Sequence, residues 1–375
     1  MNHCDRALAA MRGHKVDHIP FIGRIDLWYS FHHSRGTLPS QYQNASLWDI
    51  LRDLGIGIFG FGAWSMSFYR LEHRNVEVIK EVDGGTTQTR YITPYGDLAC
   101  RDTMSEELKD AAGSGARVEF PFKSAKDYDA LKFLIDNTEV VNNFDAYGKF
   151  VDDIGEDGIA LPFSGHLPAH QLMLNYMGYE KFYLELFDNQ SLLEGLVESL
   201  TEQQTQIIDL AAKCPATAIE VGGNYDESMT PPPIFERYFA PFYRTVKSTF
   251  SKAGKILVVH GDGEMKGLLT SLMDCGIDVV EALTPKPMTT IDIASTRKLW
   301  NDKVAIWGGL ATIVLTDVFS EEKFESFLVD LFSAVAPGER FILGFGDNVP
   351  TDASFSRIQR VAEFWRENGG FPLPG

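Results

Sequence analysis

One histidine and several acids stand where apolar runs of this chain end, and those residue types bind divalent cations or move protons. In KILVVHGDG (255–263) an apolar run opens directly into His260 and Asp262 with glycines around them. DVVEALTP (278–285) delivers Glu281, and FILGFGDNVP (341–350) delivers Asp347 into a Gly/Asn/Pro turn. Residues two apart in an extended stretch point the same way, so His260 and Asp262 could reach one ion. The competing reading makes His260 a strand end and Asp262 the cap of a helix starting near Glu264. The apolar approach to Asp347, which a cap would not need, favours a shared metal site. For Glu281, ligation competes with a rim ion pair to a lysine such as Lys286.

To converge, these residues must sit at the same end of neighbouring strands. Short apolar runs ended by Gly, Pro or polar residues give about eight strand candidates, near Ile19, Ile58, Leu161, Ile219, Val258, Val280, Ile306 and Leu343. Amphipathic stretches lie between most of them, including residues 192–212, 234–253, 264–275, 321–335 and 354–368. This alternation predicts a (β/α)8 TIM barrel in a single domain over residues 1–375. Residues 75–101, with β-type alternation around Asp83-Gly84-Gly85, predict an antiparallel hairpin inserted between the second and third barrel strands. Connecting helices follow it, up to about Gly158.

In such a barrel the carboxyl ends of the strands build the site. That adds Asp26, His166, Glu220 and Asn224 to the candidates. Glu220 and Asn224 lie in IEVGGNYDESMTP, whose glycines let a ligand approach the backbone. Trp28 and Tyr29, with His32 and His33, are read as an aromatic loop that lines a pocket or packs on its own barrel. His166 is expected to contact substrate and His170 to lie on the next helix.

Composition excludes several other functions. The formal charge of −18 disfavours phosphate backbones and anionic membranes. Four cysteines without ligand spacing read as free thiols in a reducing cytoplasm, and the start of the chain lacks a signal peptide's apolar core. The apolar run Ile56 to Trp64 is too short to span a bilayer. There is no GxGxxG after a strand, no P-loop and no GxSxG.

The blocks GYEKFYLELFDNQSLLEGLVE, MTPPPIFERYFAPFYRTV, VVHGDGEMKGLLTSLMDCGIDVVEALTP, KVAIWGGL and APGERFILGFGDNVP, in that order, resemble the uroporphyrinogen decarboxylase superfamily and its cobalamin-dependent methyltransferase branch. The resemblance covers the chain from about Pro162 onward. Decarboxylases proper carry Arg-Gln-Ala-Gly-Arg-Tyr after the first strand; here FIGRIDLWYSFHHSRG retains only Arg24 and Arg35. The zinc methyltransferases carry His-x-Cys and Gly-Cys-Gly at two strand ends. The matching positions here are His260, Asp262 and Asp347, with both thiolates replaced by carboxylates.

The resemblance thus implies zinc or another divalent metal on His260, Asp262 and Asp347, to which the reading of the strand ends adds Glu281. Asp26, Glu220 and His260 become the catalytic candidates; Trp28, Tyr29, His166 and Asn224 become the substrate contacts. Oxygen donors make a harder centre, suited to polarising the heteroatom of a methyl donor such as a methyl ether. The methyl group would move to or from the cobalamin of a separate corrinoid protein. A cofactor-independent decarboxylase is the alternative, with Asp26, His260 or Asp347 as proton donor. A non-catalytic docking barrel would be favoured by ligands more than about 6 Å apart.

Overall fold

The computed structural model describes residues 1–61, 67–110, 115–301 and 303–374; the end of the apolar run Ile56 to Trp64 lies outside them. A first strand β1 (Ile22–Gly23) pairs in parallel with β2 (Gly57–Phe61). Six strands of antiparallel pairing follow: β3 (Tyr69–His73), β4 (Glu77–Asp83), β5 (Thr86–Thr93), β6 (Gly96–Thr103), β7 (Ala116–Glu119) and β8 (Thr138–Asn142). The parallel pattern resumes with β9 (Gly158–Leu161), β10 (Ala218–Gly223), β11 (Ile256–His260), β12 (Val279–Leu283), β13 (Ala305–Leu310) and β14 (Phe341–Phe345). Each parallel strand falls on or beside one of the apolar runs named above. The molecule is an α/β fold with parallel sheets, one ordered β1-β2-β9 and the other β10 to β14 in chain order.

Isolated parallel bridges join the two sheets at Phe163 with Glu220 and at Phe21 with Leu343. At the first seam Glu220 N–H donates to Pro162 at 3.0 Å, and at the second Leu343 N–H donates to Pro20 at 2.8 Å. Ile22, Phe59, Ile159, Ala218, Val258, Val279, Trp307 and Ile342, from the eight parallel strands, share one buried apolar cluster. Leu257 and Val259, the neighbours of Val258, belong instead to the larger cluster that includes residues of the surrounding helices. Period two therefore sorts each strand into an inner and an outer face. Ala7, Ala10 and Met11 of helix His3–Met11 pack on the inner cluster.

The inserted region is larger than one hairpin. The hairpin itself is β4 with β5, turning at Gly84, whose φ of +56° suits glycine. It belongs to a four-stranded sheet β4-β5-β6-β7, beside a separate β3-β8 ribbon. Among helix starts, Ser320 caps Glu321–Val335 by accepting from Lys323 N–H, and Pro231 precedes Pro232–Tyr238. The stretch 234–253 forms two helices, broken between Tyr238 and Ala240. No described helix is long and apolar enough to cross a membrane.

Candidate metal centre

The inner faces of β10, β11 and β12 continue from apolar residues into polar ones. Two residues beyond Ala218, Val258 and Val279 come Glu220, His260 and Glu281, all buried. The parallel register sets Glu281 beside His260, and Gly223 beside His260 on the other side. Gly223 has a φ of +127°, and a Cβ there would stand 2.5 Å from that of His260. Only glycine lets β10 pass so close to the imidazole.

His260 Nδ1 lies 2.6 Å from Glu281 Oε2, a buried charge-assisted hydrogen bond in which the imidazole donates. Its Nε2 lies 3.4 Å from Asp262 Oδ1. Asp347 arrives just past β14. Ligand atoms of His260, Asp262 and Asp347 lie within 4.8 Å of one another, as do those of Glu220, His260 and Glu281. Asp262 is thus not a helix cap: the next helical turn, Lys266–Leu268, starts without a side-chain cap. Glu281 is held by His260 and not by Lys286.

The charges are strongly coupled. Burial alone would push the His260 pKa down, but Glu281 and Asp262 hold it well above its ordinary value. Burial raises Asp262, yet the hydrogen bond to His260 outweighs that and leaves it low. Asp347 is raised by burial despite His260 and Arg24. Burial pushes Glu220 up to about 8, and its Oε2 is buried without a partner.

This donor set fits a hard divalent cation. With Nδ1 committed to Glu281, Nε2 is turned toward Asp262, the pattern of a ligating histidine oriented by a carboxylate. The orphaned oxygen of Glu220 gives the same layer one further uncommitted donor.

The family model described as "Uroporphyrinogen decarboxylase (URO-D)" matches residues 92–368. The chain belongs to the uroporphyrinogen decarboxylase family. The match reaches well upstream of Pro162, where the motifs begin to resemble it. A solved structure, a methyltransferase from Methanosarcina mazei, aligns with a TM-score of 0.59 at 12% identity. It covers 98% of this chain and 99% of its own, so the two share a fold over their whole lengths. No curated protein matches the chain.

Around the centre of this uroporphyrinogen decarboxylase family member, the other candidates divide. Asp26 opens helix Asp26–Ser34, and its Oδ2 accepts from Arg24 at 3.2 Å and from Asn348 at 2.8 Å. His166 lies beyond β9, and burial with the nearby charge of His260 pushes its pKa down to about 4. Asn224 is exposed beside the glycine pair, with a φ of +58°. His170 is fully buried on Pro168–Gln171, as expected of a helical residue.

Trp28 and Tyr29 require correction. They stand on a helix and not in a loop. Trp28 is 2% exposed, stacks on Phe355 and donates to Ala353 O at 3.0 Å, so it packs on its own scaffold. Tyr29 donates to Ala45 O at 3.0 Å and stacks on His33. His32 bridges Thr37 and Thr351 O.

Arg24 carries more than its place among scattered arginines implied. Two residues past the inward Ile22, it joins Asp26 to Asp347, the latter at 3.7 Å. It also lies over the rings of Phe59 and Phe61, at 5.7 and 5.1 Å. Its signal was the inward period of β1, hidden because that strand is only two residues long.

Proposed function

We propose that the protein is a cytosolic, metal-dependent methyltransferase, moving a methyl group between a small molecule and the cobalamin of a corrinoid protein. The observation that carries this reading is the meeting of His260, Asp262 and Asp347 within 4.8 Å. Family membership and the whole-length likeness to a solved methyltransferase support it. The eight parallel strands, with bridges at both seams and one shared inner cluster, support a closed (β/α)8 barrel whose mouth holds the site. Four free cysteines accord with a reducing compartment.

Each residue has a distinct task in this reading. His260, Asp262 and Asp347 would hold zinc or another divalent ion, and Glu281 fixes the imidazole through Nδ1. A bound ion of this kind supplies Lewis acidity to an ether oxygen or an amine. Glu220 lies in the same layer, where burial works against its charged form. When a methyl group is lost, the heteroatom would keep the electron pair of the broken bond, and Glu220 would supply its proton.

The test is metal analysis together with methyl transfer followed by the cobalamin spectrum. His260→Ala and Asp347→Ala are expected to lose both metal and transfer. Full activity in metal-free protein would overturn the reading. The protonated Glu220 favours one second reading, a metal-independent decarboxylase with Glu220 as proton donor; it requires carbon dioxide release from metal-free protein. Ligand atoms within 4.8 Å of one another give the docking-barrel alternative no support from a wide separation.

A further inference from the structure

The inward rows of β1, β2 and β9 continue past their apolar residues, as those of β10 to β12 do. Beyond Phe59 stands Phe61, beyond Leu161 stands Phe163, and beyond Ile22 stands Arg24. Phe61 is 41% exposed and Phe163 half-buried, their ring centroids 6.3 Å apart. Phe163 meets the His166 ring edge-on at 5.1 Å and bridges Glu220 through the backbone. One side of the mouth is therefore aromatic, and the imidazole it contains is uncharged at neutral pH.

The opposite side is acidic. The cations acting on Glu220, Asp262 and Asp347 are His260 and Arg24. His260 is taken by Glu281 and Asp262. Arg24 divides its guanidinium between Asp26 and Asp347, and its Nε is buried without a partner. Asp26, Asp262, Glu281 and Asp347 thus outnumber Arg24 and His260, and a divalent ion would bring the set no higher than neutral. Among the described residues, a carboxylate entering here finds both cations already facing acids, and it pays for its own desolvation.

We infer that the mouth turns away anionic small molecules and lays the apolar face of its ligand on Phe61, Phe163 and His166, and that Asp26 enforces the exclusion by occupying Arg24. The inference rests on the methyltransferase reading only for which bond is broken; binding stands on its own. Anion exclusion is a specificity device of this chain, made by putting an acid where it silences the Arg24 guanidinium.

The experiment is equilibrium dialysis of the protein as purified with methoxybenzene and 4-methoxybenzoate. Methoxybenzene is expected to bind at least about tenfold more tightly than the benzoate, as one unmet charge near a partly buried site is worth ~1.4 kcal/mol or more. In Asp26→Asn that gap narrows at least about threefold, because Arg24 is released from one partner. Asp26→Ser serves as the second variant and gives the same direction. Phe163→Ala weakens methoxybenzene by about fivefold or more, from lost ring contact. Benzoate binding as tightly as methoxybenzene, a gap unmoved in both Asp26 variants, or no binding of methoxybenzene would each overturn the inference. Methoxybenzene binding without any methyl transfer would instead count against the methyltransferase reading alone.

Discussion

Replacing Glu281 by glutamine separates an orienting carboxylate from a metal ligand. Glutamine keeps the length and one acceptor but removes the charge facing His260 Nδ1, now 2.6 Å away. A buried hydrogen bond to a charged group contributes roughly 1.5–3 kcal/mol. Loss of the outer partner of a ligating histidine costs about 10–100-fold in metal affinity, which converts to about 1.4–2.7 kcal/mol. The two routes agree, so Glu281→Gln is expected to weaken zinc binding by 10–100-fold, as those principles give, and to lower metal-free stability by about 1.5–3 kcal/mol. Competition against a zinc-binding dye and urea denaturation read the two quantities. Affinity within about twofold of wild type would refute the orienting role. A loss beyond about 10⁴-fold would make Glu281 a direct ligand and shift the ion toward Glu220.

Three further outcomes follow from the geometry. The folded state keeps the Glu220 proton up to about 8, whereas the unfolded chain releases it near the ordinary value of 4.5. Its contribution to stability is therefore full below that ordinary value and is lost as pH rises through about 8; melting scans of metal-free protein from about pH 5 to about pH 9 should show a decline that Glu220→Gln reduces. Gly223→Ala forces a Cβ to 2.5 Å from that of His260 at a φ of +127°, costing about 1–3 kcal/mol in urea denaturation and disturbing metal uptake; unchanged stability and uptake would contradict the close approach. Trp28→Phe should cost about 1–2 kcal/mol, through its lost bond to Ala353, and leave KM unchanged; a raised KM would return Trp28 to the pocket.

How much of this was legible in the sequence depends on the range of the interaction. The parallel strands were visible because burial on both faces makes each an uninterrupted apolar run, as in ILVV before His260. His260 and Asp262 could be paired because their relation is local. The pairing of Glu281 with His260 was not visible. It depends on β11 and β12 meeting in the register that sets Glu281 opposite His260, and no residue type states a register. The extent of the insertion failed for the same reason: β3 and β8 pair Tyr69 with Asn142 across a long separation, through largely polar, exposed residues. Trp28 misled because an aromatic residue beside polar ones reads alike in a pocket wall and in a helix packed on its own scaffold.

The account rests on one cation held by nitrogen and oxygen donors, and X-ray absorption at the metal edge of the zinc-loaded protein tests that most directly. The expected result is a single light-atom shell at about 2.0–2.2 Å, present in wild type and lost in His260→Ala and Asp347→Ala. A sulfur shell near 2.3 Å, or a spectrum identical in both variants, would contradict it.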